Sequence, residues 1–299
     1  MHASDSEPRP DARAILASLG VASPDRVAPL SGGWDTTMWR IEHDGVVSAL
    51  RLFRAEQHRT VAREVAAMRL AREAGIPVPE LRARGGWEGR PVLLLSWCRG
   101  QPLARAILRQ PRHGRWLGEH FGAMQARIHR ITVEHGSIPA GIDWQGWAGP
   151  GEDALRARLA ATCPRPDALL HLDYHPLNVL VDRHGVTAVL DWANAALGDP
   201  RADAARTLSI LRFFAGFPQL SHGQGLARLG PFVAGWRHGY EAGAGPLSDF
   251  PPYRAWAAAV MVHDLAPRAG RPGHLVTAPG FDRLRRRADD WKARAGIRN

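Results

Sequence analysis

Eight consecutive residues, His171-Leu172-Asp173-Tyr174-His175-Pro176-Leu177-Asn178, put a carboxylate, an amide and two imidazoles in one short segment. Two strand-like runs, Val179 to Val181 and Val186 to Leu190, follow, and Asp191-Trp192 comes directly after them. If Asp182-Arg183-His184-Gly185 turns the chain, Val181 faces Val186, and Asn178 and Asp191 are brought to about 5–8 Å of each other across the hairpin. With Asp173 beside them, the donors are all oxygen, a set that suits magnesium better than zinc or copper. Magnesium in turn suggests phosphate chemistry.

The joint pattern is more specific than any of its parts. His-x-Asp-x4-Asn, two β-rich runs and a further Asp reproduce the arrangement of kinases, with a base Asp, a metal-binding Asn and a second metal-binding Asp. On these residues the sequence resembles the aminoglycoside phosphotransferase and choline kinase superfamily, from about Arg26 to about Phe214. The resemblance implies a two-lobed, protein-kinase-like α+β fold with a small antiparallel-sheet N-lobe and a mostly helical C-lobe. It also implies Asp173 as the catalytic base, Asn178 and Asp191 as Mg2+ ligands, and His171 and His175 in supporting places. Protein kinases carry lysine where His175 stands and Phe-Gly where Trp192-Ala193 follows Asp191, so the small-molecule branch is favoured.

Further matches lie in the N-terminal half. Arg51, at the end of a third strand, stands where the family carries its phosphate-binding lysine, and Glu64, 13 residues on, matches the ion-pair partner. Gly32 and Gly33 fall in the segment resembling the loop over the nucleotide phosphates, where backbone N–H groups approach an anion. Ser96, Trp97 and Cys98 correspond to the hinge that reads the base of ATP or GTP.

Several elements must position these groups. A short helix from Ala12 to Leu19 ends at Gly20, and strands are expected at Val27–Leu30, Met38–Ile41 and Val46–Phe53, with Asp44-Gly45 marking a hairpin. Val61, Val65 and Met68 predict a helix stopped by Gly75, Pro77 and Pro79, and Pro91 to Trp97 reads as a buried strand. Beyond Arg99-Gly100 the 4, 3, 4, 3 spacing of Leu117, Phe121, Met124, Ile128 and Ile131 predicts a core-facing helix. Residues 134–151 read as an irregular loop, and helical patterns run from about Arg201 onward. The expected units are a leader and short helix over 1–22, a nucleotide-binding lobe over 23–98 and a helical lobe over 99–299. Asp199 and Asp203 read as an N-cap and an early-turn charge.

Composition restricts the partners. The 299 residues, 45% hydrophobic and 23% charged, suit a globular protein with a sizeable core. No apolar run approaches the ~20 residues of a membrane span, and the polar N-terminus lacks the pattern of a secretory signal. With only Cys98 and Cys163, a reducing, cytoplasmic setting is expected. The net charge of +10 comes from 39 basic residues, of which Lys292 alone is lysine. These arginines are scattered, with one cluster at Arg283 to Arg287, so nucleic acid is not the expected partner.

For the acceptor, resemblance suggests an aminoglycoside, whereas charge argues against a polycation. Residues 201–299 hold fifteen basic residues against seven acidic ones, a balance of +8. The expected acceptor is a small-molecule hydroxyl with few positive charges, in a cleft lined by Trp236, Tyr240, Tyr253 and Trp256, with Trp144 and Trp147 as further candidates. Macrolides, other natural products and metabolites remain open. The rival from another class is a non-catalytic nucleotide-binding module, suggested by arginine in the lysine position. A local acidic patch from Glu241, Asp249 and Asp264 would reverse the charge argument.

Overall fold

The computed structural model describes residues 10–30, 36–134, 136–139, 143–215, 225–271 and 276–297. A five-stranded antiparallel sheet in the order β1-β2-β3-β5-β4 forms the first lobe. Its strands are β1 (Arg26–Leu30), β2 (Thr37–His43), β3 (Val46–Leu52), β4 (Leu81–Trp87) and β5 (Arg90–Ser96). Alternation along β3 separates two faces. Leu50 and Leu52 pack with Trp39, Ile41, Val92 and Leu94 against Ala12, Ile15 and Leu16 of helix α1 (Ala12–Ser18). Arg51 points to the opposite face, where helix α2 (His58–Glu73) lies. The N-terminal helix is thus a cover for the outer sheet face.

Strand β4 does not appear in the sequence reading. It is an exposed edge strand whose Arg82, Arg84, Gly85 and Gly86 carry no apolar alternation, and pairing with β5 alone defines it.

Around the second lobe's core run α3 (Leu103–Arg109), α4 (Gly114–His129), α5 (Asp153–Ala161), α6 (Pro200–Ala215), α7 (Gly225–Ala244), α8 (Pro251–Leu265) and α9 (Ala278–Arg294). The strands there are short: β6 (Gln101–Pro102), β7 (Ala168–Leu170), β8 (Val179–Asp182), β9 (Gly185–Val189) and β10 (Ala196–Gly198). Residues 134–151 include one 3-10 turn, Gly146–Ala148.

Helices α4 and α7 approach unusually closely. A Cβ on Gly118 or Gly122 would overlap the carbonyl oxygen of Phe232 or Trp236, and one on Gly235 or Gly239 would overlap that of Arg115 or Glu119. This glycine seam brings His129, at the end of α4, to Tyr240 of α7. Among the described residues, no helix is long and apolar enough to cross a membrane.

Candidate active site

Residues 171–178 form the loop between β7 and β8. The hairpin that follows pairs Val179 with Val189 and Val181 with Val186, and the Leu190 N–H donates to the Asn178 carbonyl at 2.8 Å. Asp191 therefore emerges beside Asn178, as the spacing predicts. The Asn178 Nδ2 donates to the Asp173 carbonyl and to its Oδ2, both at 3.1 Å. Asp173, Asn178 and His175 form one cluster, with the His175 Nε2 at 3.5 Å from Asp173 Oδ2.

The loop is held from behind by Asp203 of α6, which is completely buried. Its Oδ2 accepts from the His171 N–H at 3.1 Å and its Oδ1 from the Leu172 N–H at 2.8 Å. His129 donates through Nε2 to Asp203 at 2.9 Å while its Nδ1 meets the Tyr240 hydroxyl at 2.8 Å. Burial pushes the Asp203 carboxyl up, but the hydrogen bond and charge of His129, with His171 behind it, outweigh burial and hold it below the ordinary carboxylate range. Asp203 does stand in the first turn of α6, as its early-turn reading expects, and in addition it organises the loop. Its type is common in a helix's first turn, and only the fold turns it inward. Asp199 does act as an N-cap, accepting from the Arg201 N–H at 2.9 Å, and it also binds the Arg201 guanidinium through both oxygens.

Backbone strain sits where this support is applied. Leu172 (φ 60°) and Asp191 (φ 62°) both take the left-handed conformation, which costs such residues about 1–3 kcal/mol and persists only when neighbours over-determine it. His171 stands between them. Its Nε2 donates to the Leu190 carbonyl at 3.0 Å and its Nδ1 accepts from the Asp173 N–H at 3.3 Å. Burial pulls its pKa down, so the ring is a neutral spacer linking the loop to the strand that ends at Asp191.

Burial alone would raise the Asp173 carboxyl, but the hydrogen bond and charge of His175, with the charge of Arg206, outweigh it and hold it below the ordinary carboxylate range. Arg206 escaped the sequence reading. It is a buried cation of α6, 2.7 Å from Asp264 and stacked 4.9 Å from the Trp147 ring, whose Nε1 also donates to Asp264. No spacing rule singles out one arginine among so many.

Across the cleft, Arg51 binds Glu64 at 2.5 Å and lies 3.9 Å from Asp191. Glu64 is wholly buried. Burial raises its carboxyl pKa despite the arginine, whereas for Arg51 burial is outweighed by Glu64 and Asp191 and the guanidinium is held more firmly protonated. One Arg51 nitrogen faces Glu64 and another faces Asp191, so the forked cation spans the anchor and the mouth of the cleft.

The donor set fits a divalent cation. Asp191 keeps 45% of its side chain exposed, and the amide nitrogen of Asn178 is committed to Asp173, which leaves its oxygen as the atom that could serve as a neutral ligand. In the segment expected to be the hinge, the Ser96 N–H donates to the Glu80 carbonyl and the Trp97 N–H to that of Val47. Of the three hinge N–H groups, Cys98 has no described backbone partner. Gly32 and Gly33 lie outside the described residues.

The aromatic cleft is not found where the sequence suggests it. Trp236, Tyr240, Tyr253 and Trp256 are at most 2% exposed. Their polar atoms are spent on Gln125, His129, the Thr162 carbonyl and the Trp144 carbonyl, respectively. They are core residues because α7 and α8 turn these rings inward, and Trp144 packs edge-on against Trp256. A cavity of about 420 Å³ touches Tyr240, but it lies behind the catalytic loop, lined also by His129, Arg165 and Arg201. Of the expected acidic patch, Asp264 is paired with Arg206 and Glu241 with Arg237, while Asp249 is exposed and lines that cavity.

The sequence profile of the phosphotransferase enzyme family (APH) matches residues 26–152 and 139–258. None of the curated proteins matches the sequence significantly. Among solved structures, a candidate aminoglycoside phosphotransferase from Ralstonia eutropha JMP134 is 19% identical, with 96% of this chain and 98% of that one covered and a TM-score of 0.67. A thermostable variant of aminoglycoside phosphotransferase APH(4)-Ia, in a ternary complex with ADP and hygromycin B, gives 15%, 95% and 98%, and 0.64. Spectinomycin phosphotransferase APH(9)-Ia, with ADP and spectinomycin, gives 14%, 94% and 96%, and 0.54. These likenesses establish the two-lobed kinase-like fold. With the profile spanning most of the sequence, the chain belongs to the phosphotransferase enzyme family, and its reaction is phosphoryl transfer.

Proposed function

We propose that the enzyme moves the γ-phosphoryl group of ATP or GTP to a hydroxyl of a small molecule that carries few positive charges. The observation that carries this reading is Asp173, an ionised carboxylate fixed by the Asn178 amide, at the end of a cleft whose other wall presents Arg51. Asp173 orients the acceptor hydroxyl and takes its proton as the oxygen attacks. Arg51, braced by Glu64, grips the phosphates, and the Cys98 backbone reads the nucleobase. Asn178 and Asp191 would hold Mg2+, which when bound neutralises phosphate charge. Positioning and charge neutralisation supply most of the rate in such a reaction.

The charge of the acceptor follows from pairing within the second lobe. Asp264 and Glu241 are already paired with arginines, which leaves Asp249 as the one of the three without an ion pair among the described residues, against a balance of +8 over residues 201–299. Neighbours solved with hygromycin B and spectinomycin support a natural-product acceptor as the class to test first. The unbridged Cys98 and Cys163 suit a reducing compartment, and we place the enzyme in the cytoplasm.

The test is ATP and GTP turnover over a panel of aminoglycosides, macrolides, neutral sugars and amino-alcohols, at low and physiological salt. A weakly charged acceptor turns over with little salt dependence. Efficient phosphorylation of a multiply charged aminoglycoside, weakening steeply as the screening length falls to about 8 Å, would overturn the charge argument.

A further inference from the structure

We propose that the junction of α6, α8 and α9 forms an anion-binding site around Arg254, which takes a phosphate or carboxylate group. Arg254 lies in the first turn of α8 and is 4% exposed. Its guanidinium stands 4.4 Å over the Trp291 ring and 5.7 Å from the Phe250 ring, and its Nε is buried without a hydrogen-bond partner. Arg294 stacks on the same indole at 4.9 Å, so two cations share one ring. Arg212, in the last turn of α6, and Arg287 of α9 are near enough for their charges, with that of Arg294, to bear on Arg254.

What distinguishes Arg254 from the other buried arginines among the described residues is the missing polar partner. The other well-buried arginines have partners: Arg51 has Glu64, Arg206 has Asp264, and Arg63 donates to the Ala193 carbonyl. Among the described residues, no carboxylate lies within ion-pair distance of Arg212, Arg254, Arg287 or Arg294. The segment 216–224, which follows Arg212 closely in sequence, holds neither Asp nor Glu. Burial first, and then the neighbouring cations, push the Arg254 guanidinium down to about 9. A buried cation is costly unless paired, and stacking on an aromatic face offsets only part of that cost.

An anion supplies what is missing. Phosphate and carboxylate oxygens match the planar fork of a guanidinium, and several converging guanidiniums favour a group carrying more than one acceptor oxygen. Arg254 would form the floor of the site, with exposed Arg287 and Arg294 at its rim. Charge repulsion among the four is then relieved by the ligand, which helps to fix α9 to α8. The anion is either free in solution or an acidic group of the acceptor. The binding chemistry is the same in both cases, and the site itself does not depend on the acceptor proposed above.

The experiment uses the full chain with EDTA present, titrated calorimetrically with inorganic phosphate and with pyrophosphate against chloride of matched ionic strength. Saturable binding is expected for the wild type. Arg287→Gln and Arg294→Gln, at exposed positions that leave the core intact, should each weaken it about two- to fivefold, the effect of one solvent-exposed charge pair. Arg237→Gln, which changes a surface cation on α7 paired with Glu241, should leave it unchanged. No saturable binding to the wild type, or equal affinity in both rim variants and the wild type, overturns the proposal. Phosphate is then added to turnover assays. A competitive rise in the acceptor KM, lost in the rim variants, assigns the site to an acidic group of the acceptor. An unchanged KM alongside rim-sensitive phosphate binding assigns it to a free anion. A chain that turns over no acceptor but still binds phosphate in this manner would fail the functional reading while retaining the site.

Discussion

Replacing Asp203 by Asn preserves side-chain shape and removes the charge on which three donors converge. Oδ2 accepts from the His171 N–H and from His129 Nε2, and Oδ1 accepts from the Leu172 N–H. An amide has one oxygen. In its better orientation it keeps the first two bonds and turns its NH2 group toward the Leu172 N–H, donor against donor. Losing one charge-assisted bond costs about 1.5–3 kcal/mol, and a buried donor left unmade costs about 1–3 kcal/mol more, so a loss of about 2.5–6 kcal/mol is expected. That is a large fraction of the ~5–15 kcal/mol that keeps a domain folded. The lost bond is also the one holding Leu172 at φ 60°, so relaxation there moves Asp173 next to it. A displacement of ~1 Å at a reacting group lowers turnover by ~10²-fold.

The assays are guanidinium denaturation and steady-state ADP release on the same preparation. A variant within about 1 kcal/mol of wild type and with turnover unaltered would refute the claim that this carboxylate holds the loop. The charge also gives pH dependence. Because the folded pKa of Asp203 is depressed, its stabilisation is fully present above the ordinary unfolded value of ~3.9. It is lost as pH falls from there through the folded value. The stability difference between wild type and D203N should therefore narrow below pH ~4 and be constant from there to neutrality.

Asp173→Asn should leave the denaturation midpoint nearly unchanged and lower kcat by ~10²–10⁴ with little effect on nucleotide affinity, because it removes the proton acceptor alone; wild-type turnover would remove Asp173 from the mechanism. Arg51→Ala strands the buried Glu64 carboxylate and should cost about 3–5 kcal/mol together with nucleotide affinity, while Arg51→Lys recovers part of both. Equal nucleotide affinity in the alanine variant, measured by calorimetry, would make Arg51 purely structural. Gly122→Ala puts a methyl against the Trp236 backbone carbonyl and should destabilise by about 1–3 kcal/mol through overpacking. An unchanged melting temperature would show that the α4–α7 seam opens without cost.

The catalytic segment was legible because its chemistry is local in sequence. Asp173 and Asn178 are five residues apart, and the hairpin that returns the chain to Asp191 has strand-forming runs and a turn of recognisable type, so period-2 register alone brings the two metal candidates together. Arg51 and Glu64 were readable for a similar reason, as a strand end and a helix face joined by a short connection. Charge type and element placement agree with that pairing, but it was the resemblance to the family that singled out these two charges.

The residues that hold those groups in place were decided elsewhere. Asp203, His129 and Tyr240 come from three helices, and their contact depends on glycines that let two backbones meet. Edge strand β4 exists because β5 pairs with it, and the four tryptophan and tyrosine rings offered for a cleft are core because of how α7 and α8 are rotated. In each case the sequence by itself determined which residue types were available. Which face an amphipathic helix turns inward, and which carboxylate each of many equivalent arginines meets, is set by long-range packing. Asp264 therefore neutralises Arg206 while Arg254, an arginine like any other in the sequence, is left buried against aromatic rings with its Nε unbonded.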